Sequence, residues 1–86
     1  TKAAALEFGK MGIRVNAIAP GLINRKDIEE SWPEGFAAWK NSAPLGELVQ
    51  PENIASMVAF LASESASSIS GSVVTIDCGL QSKPSW

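Results

Sequence analysis

The sequence predicts an α/β fold, namely part of a doubly wound parallel sheet that is incomplete on its own. Two short segments, 13–19 and 73–76, are rich in Ile, Val and Ala, which is typical of parallel strands covered on both faces. Between them, residues 51–63 carry apolar side chains at helical spacing. The resulting strand, helix and strand are expected to form a right-handed parallel crossover. Because two strands leave apolar edges open, further chain or further copies must complete the sheet.

The first predicted strand leads directly into a Pro-Gly turn. Pro20 has no N–H to donate to a sheet, so the strand is expected to stop there. Gly21 allows a sharp turn and leaves space beside the backbone for a ligand. Since ligands of open α/β sheets bind beyond the carboxyl ends of the strands, the residues after Pro20 are the first candidate for a functional site.

Composition restricts the classes of function. With 86 residues the chain is at most one small domain, and its 45% of hydrophobic residues excludes a disordered tail. The formal charge of -2 gives no basis for nucleic-acid binding, and no apolar run approaches the roughly 20 residues of a membrane span. The single cysteine, Cys78, excludes an internal disulfide and fits a reducing, cytoplasmic location.

Two residue types that often perform chemistry are missing. The sequence has no His and no Tyr, which excludes Ser-His-Asp triads and His-ligated metals within it. Without a nearby base, the serines of 63–72 are expected to be structural, and Cys78 a small packed hydrophobe. Asp77 follows the second strand and is expected to accept hydrogen bonds from backbone N–H groups. These absences limit the chemistry that residues of this sequence can perform.

The remaining helices are predicted from composition and spacing. Residues 1 to about 10 form the end of an alanine-rich helix that stops at Gly12, and its small side chains allow either another helix or the chain's own sheet to approach. The helix over 51–63 begins at Pro51. Its expected core face consists of Ile54, Met57, Val58 and Leu61.

Residues 22–43 are the least regular segment and carry a heavy aromatic load. Asp27 or Asn24 is a candidate cap for one short helix, and Ser31 for a second that has Pro33 in its first turn. The segment is interpreted as a lid over a small-molecule pocket, with packing on the core or on a neighbouring subunit as the alternative. If the two helices are nearly continuous, one face presents Ile28, Trp32, Phe36 and Trp39.

Five segments resemble, in order and spacing, the C-terminal portion of the short-chain dehydrogenase/reductase family, in particular its 3-oxoacyl-[acyl-carrier-protein] reductase-like members. They are Gly12-Ile13-Arg14-Val15-Asn16-Ala17-Ile18-Ala19-Pro20-Gly21, Pro44-Leu45-Gly46, Pro51-Glu52-Asn53-Ile54-Ala55, Phe60-Leu61-Ala62-Ser63 and Gly71-Ser72-Val73-Val74-Thr75-Ile76-Asp77-Cys78-Gly79. The resemblance covers residues 1 to about 80. It implies that 1–86 is the C-terminal fragment of a single Rossmann-fold dehydrogenase domain, with a substrate lid at about 22–43. The family's catalytic Tyr and Lys and its phosphate loop would precede Thr1, so the fragment alone is expected to be inactive.

The same resemblance implies an activity and a site. The family transfers a hydride between NAD or NADP and a carbonyl or alcohol, such as a 3-oxoacyl group, a small polyol or a sugar. The Ile23 backbone N–H would bond the nicotinamide carboxamide. Arg25 stands where a Thr hydroxyl commonly touches the cofactor, and its guanidinium would reach either the pyrophosphate or solvent. The lid would contact substrate through Ile28, Trp32 and Phe36. The turn under the nicotinamide corresponds to Pro20, Gly21, Leu22 and Ile23.

Assembly is the last expectation. The resemblance implies a homo-oligomer, a dimer or tetramer, in which the last helix and strand pack against their twofold-related copies. The alternative to an enzyme is a non-catalytic binding or assembly module that reuses the fold, since fold does not fix function. Trp86 lies in a tail without periodicity and either docks on a neighbour or frays.

Overall fold

The computed structural model describes residues 1–82 of the chain. Trp86 lies outside the described residues, so its role stays a prediction. The elements in chain order are α1 (Lys2–Phe8), a 3-10 helix (Gly9–Met11), β1 (Ala17–Pro20), α2 (Ile28–Ser31), α3 (Pro33–Ser42), α4 (Pro51–Leu61), a second 3-10 helix (Glu64–Ala66), β2 (Val73–Ile76) and a third (Leu80–Ser82).

The two strands form a parallel sheet. Ala17 pairs with Val73, and the register continues to Pro20 opposite Ile76. The carboxyl ends of both strands therefore meet at one edge, and α4, which lies between them in sequence, contacts β1. This arrangement confirms the predicted α/β class and an incomplete parallel sheet.

The first strand is shorter than the sequence predicted, although it ends at Pro20 as expected. Residues 13–16 lie opposite the irregular segment before β2 and form no regular ladder with it. Val15 instead accepts a hydrogen bond from the Gly71 N–H at 2.7 Å and donates to the Ser70 hydroxyl at 3.1 Å. Gly71, opposite this stretch, has a positive φ of 80°, which is not the conformation of a regular strand.

Neither strand is buried, contrary to the expectation that both faces are covered. The β1 residues are half-buried as far as Ala19, and Val73 in β2 is 53% exposed. Two strands and one helix supply too few neighbours to cover the sheet. The buried apolar residues mostly belong to the connection between the strands; they are Ile28, Ala43, Leu48, Val49 and Ala66.

Prolines predicted the helix starts more accurately than capping side chains did. Pro33 and Pro51 occupy the first turns of α3 and α4. Asp27 precedes α2 but makes no side-chain capping bond, and Ser31 ends α2 rather than capping α3. The helices break at Trp32, whose φ of -146° and ψ of 65° lie outside the α region that Pro33 disfavours for the residue before it.

The outer helices agree with the sequence in position and only partly in burial. α4 begins with a capping box between Gln50 and Asn53. Its predicted core face is half-buried at three positions, whereas Val58 is 52% exposed. At the other end of the chain, Gly12 adopts a left-handed φ of 77° and stops the helical segment as predicted. Leu6 of α1 is 82% exposed, so one face of that helix has no partner within residues 1–82.

Candidate functional site

The turn after β1 extends the sheet edge by a few hydrogen bonds. Gly21 donates its N–H to Ile76 O at 2.8 Å, which continues the pairing with β2. Two further bonds then join the turn to Val49, because Val49 donates to Leu22 O at 2.9 Å and Asn24 donates to Val49 O at 2.7 Å. The turn is therefore held by backbone hydrogen bonds to β2 and to Val49.

This bonding pattern leaves one backbone N–H of the turn pointing away from Val49. Ile23 and Val49 form an isolated parallel bridge. Since the bridge uses the O of Leu22 and the N–H of Asn24, the N–H and C=O of Ile23 point away from Val49. Within residues 1–82 the Ile23 N–H has no acceptor. The structure thus presents a free N–H at the carboxyl edge of the parallel strands.

Gly21 is needed for space rather than for an unusual backbone angle. Its φ is not positive, unlike those of Gly12, Gly46, Gly71 and Gly79. A Cβ built on Gly21 would overlap the indole of Trp39, lying 2.7 Å from Cζ2, and would lie 3.0 Å from the Asp77 Cα. The sequence predicted ligand space beside this glycine; the indole of Trp39 occupies the space on its Cβ side.

Trp39 is the lid residue that reaches the turn. Its indole N–H donates to Glu47 O at 2.8 Å, which ties α3 to the segment that ends at Val49. The sequence placed Trp39 on the aromatic face but not among the site residues. No short-range signal connects it to Gly21, because the contact depends on the path of the lid.

The three predicted substrate-binding residues differ in exposure. Ile28 is 4% exposed and belongs to the core of the lid, whereas Trp32 is 50% exposed. The ring of Trp32 lies over Gly35, where a Cβ would overlap it. Phe36 is half-buried, with the Lys40 ammonium 5.3 Å from its ring centroid.

An apolar depression of about 320 Å³ lies between α3 and the turn. Both indoles and the turn residue Leu22 contribute to its wall. No charged side chain does, which suits a hydrocarbon group better than an ionic one. The lining residues are Leu22, Trp32, Gly35, Ala38, Trp39, Ser42 and Leu80.

Arg25 lies in a polar region that is separate from the apolar depression. Its Nη2 donates to the Ser31 hydroxyl at 3.3 Å, and the side chain is exposed. A depression of about 310 Å³ beside it is also lined by the carboxylates of Asp27, Glu29 and Glu30. Negative groups of this kind repel an approaching pyrophosphate, so they weaken the electrostatic case for that contact.

The end of β2 forms a tight turn that its own aspartate holds. Asp77 accepts hydrogen bonds from Gly79 N–H at 3.0 Å and from Gln81 N–H at 2.9 Å, as predicted. Cys78, which lies between Asp77 and Gly79, adopts a left-handed φ of 55°. Burial, followed by the negative charges of Glu47 and Asp77, raises the pKa of the Cys78 thiol. The neutral thiol is thereby favoured, in agreement with the predicted structural role.

Among the described residues, no three His, Cys, Asp or Glu side chains come together to hold a metal ion. Of the helices within residues 1–82, none has both the length and the apolar character needed to cross a membrane.

Known proteins resemble this chain closely. The family model described as enoyl-(acyl carrier protein) reductase matches residues 1–81. The 3beta-hydroxysteroid dehydrogenase 1 of Eggerthella lenta is 41% identical over 100% of this chain and 34% of its own length. The 3-oxoacyl-[acyl-carrier-protein] reductase of Chlamydia trachomatis is 41% identical over 93% of this chain and 32% of its own length.

Structural similarity agrees with the sequence matches. A solved structure described as 4-hydroxyisoleucine dehydrogenase complexed with NADH superposes with a TM-score of 0.85 and 36% identity, over 98% of this chain and 35% of that chain. The chain thus spans about a third of the length of the relatives it matches. By sequence and by structure, the chain belongs to the short-chain dehydrogenase/reductase family.

Proposed function

We propose that the protein is an oxidoreductase that transfers a hydride between NAD or NADP and a carbonyl or alcohol substrate. In this proposal the described segment supplies the turn beneath the nicotinamide, the substrate lid and part of an oligomer surface. The observation that carries it is the free N–H of Ile23 at the carboxyl edge of two parallel strands. The NADH-complexed relative supports the choice of cofactor class.

The residues of the turn fit a nicotinamide. A carboxamide oxygen is an acceptor, and the Ile23 N–H is a donor fixed by the two bonds to Val49. Bound there, the cofactor would supply the hydride chemistry, while the turn would set which ring face meets the substrate. Pro20, Gly21 and Leu22 shape the floor of this position. The carboxylates beside Arg25 repel a pyrophosphate. Arg25 is therefore proposed to face solvent rather than the pyrophosphate.

The lid is proposed to bind substrate through the exposed side of its aromatic face. Trp32 and Phe36 are exposed enough to touch a bound molecule, whereas buried Ile28 would support them from beneath. The sequence contains no Tyr, the residue that donates the proton in this family. The family's Tyr and Lys would have to come from chain outside this sequence, so the 86 residues alone are expected to be inactive.

The remaining parts of the proposal concern the whole protein. Residues 1–86 are proposed to be the C-terminal portion of one Rossmann-fold domain, because the half-buried strands need sheet neighbours and the relatives are about three times as long. A cytoplasmic homo-oligomer, a dimer or tetramer, is proposed, with neither nucleic acid nor membrane as partner. The exposed apolar side chains of α1 and α4 support such an assembly.

Turnover by the full-length protein tests the proposal. Carbonyl compounds would be supplied with NADH or NADPH, and oxidation of the reduced nicotinamide would be followed by its absorbance. A semisynthetic protein with an ester in place of the amide between Leu22 and Ile23 lacks the Ile23 N–H and also has a weaker acceptor at Leu22 O, which Val49 uses. It is expected to bind the dinucleotide about five- to tenfold more weakly. The matched control is an ester at Arg25, which keeps the side chain. Equal weakening by both esters, or no turnover by the unmodified protein, would contradict the proposal.

A further inference from the structure

Trp39 touches the candidate site in two independent ways. Its indole lies against Gly21 so closely that a Cβ there would be 2.7 Å from Cζ2. Its N–H donates to Glu47 O at 2.8 Å, and Glu47 lies two residues before Val49. Val49 in turn makes both hydrogen bonds that fix the orientation of the Ile23 amide.

These contacts form one connected unit between the lid and the turn. Trp39 lies in α3, and Val49 is 1% exposed, so neither end of the unit shifts freely. If the indole moves away from Gly21, the turn loses a packed neighbour. If the Glu47 bond breaks, the segment that positions Val49 is released from α3. Either change would loosen the Ile23 N–H.

We propose that Trp39 is a positioning residue for dinucleotide binding, acting through the turn 20–25 rather than by touching the cofactor. The inference depends on the proposed function and extends it to a residue that the sequence did not assign to the site. It also predicts coupling between dinucleotide and substrate, because the Trp39 indole lines the same apolar depression as Trp32, which is proposed to touch the substrate. A substrate that orders α3 is therefore expected to tighten dinucleotide binding, and the dinucleotide to tighten substrate binding equally.

The test compares two tryptophans of the lid in the full-length protein. Trp39→Phe retains a ring but removes the N–H and the outer ring atoms, whereas Trp32→Phe makes the same change at an exposed position whose ring lies over Gly35 rather than against Gly21. Calorimetric titration gives the Kd for NADH and NADPH, and steady-state kinetics give the KM of each substrate. Trp39→Phe is expected to raise the dinucleotide Kd about fivefold, the effect of one neutral hydrogen bond. Trp32→Phe is expected to change only the KM of the carbonyl substrate.

The possible outcomes separate this inference from the proposed function. If the wild-type protein binds the dinucleotide and Trp39→Phe binds it with the same Kd, the inference about Trp39 is wrong and the proposed function stands. If the wild-type protein binds neither dinucleotide, both are wrong. Trp39→Ala adds a stronger perturbation, and should it fail to fold, Trp39→Phe alone decides. A lower melting temperature with an unchanged Kd would show a purely structural role and would also overturn the inference.

Discussion

Replacement of Gly21 by alanine tests the contact on which the site geometry depends. The backbone at Gly21 accepts any residue, since its φ is not positive, and such replacements usually gain about 0.4–1 kcal/mol of stability. Here the new Cβ would overlap the indole of Trp39 and approach the Asp77 Cα to 3.0 Å. Overpacking of this kind costs about 1–3 kcal/mol. The net expectation is a loss of about 1–2 kcal/mol in the free energy of unfolding.

A double-mutant cycle tests whether the contact with Trp39 causes that loss in the free energy of unfolding. Trp39→Phe removes the Cζ2 and Cη2 atoms that the Cβ would meet, so Gly21→Ala should cost little in that background. Urea unfolding of the wild-type protein, both single variants and the double variant gives the coupling energy, expected at about 1–2 kcal/mol in favour of the double variant. A coupling energy near zero would refute the contact between Trp39 and Gly21, and with it the inference that Trp39 positions the turn.

Three further outcomes are expected in the full-length protein. Asp77→Ala should lower the free energy of unfolding by about 2–3 kcal/mol, because two backbone N–H groups lose a charged acceptor, while Asp77→Asn should lose about half as much; urea unfolding measures both. The raised pKa of Cys78 keeps its thiol neutral, so iodoacetamide should alkylate it more slowly than in the urea-unfolded chain at mildly alkaline pH, with the difference shrinking as the pH rises through the folded-state pKa; equal rates would contradict this. Trp32→Ala and Phe36→Ala should raise the substrate KM while the dinucleotide Kd stays fixed, whereas a collapsed melting temperature with normal kinetics would assign both residues to the core.

The features that the sequence predicted correctly are helix starts, strand positions and strand ends, which short-range patterns determine. Pro51 and the apolar spacing after it predicted α4, the run Val-Val-Thr-Ile predicted β2, and Pro20 marked the end of β1. These features depend on backbone geometry and side-chain periodicity within a few residues. The parallel pairing followed because a helix separates the two strands.

Features that depend on the path of the chain were not predictable. Ile28 is buried although it lies in the least regular segment, and the path of that segment brings Trp39 to Gly21. The start of β1 at Ala17 depends on where its partner becomes extended. The strands are half-buried because the neighbours that would cover them are not within the described residues. In each case the result depends on a residue that is distant in sequence, and a local sequence pattern contains no information about such a contact.

The Ile23 amide offers the most direct test of the central claim. Hydrogen exchange of the full-length protein would be measured at single-residue resolution, with and without saturating NADH or NADPH. The free Ile23 N–H is expected to exchange fast without the dinucleotide and at least about tenfold more slowly with it, whereas the Asn24 N–H, already bonded to Val49 O at 2.7 Å, serves as an internal reference whose exchange changes little. An Ile23 amide that exchanges equally fast in the saturated complex would contradict the assignment of this turn to the nicotinamide.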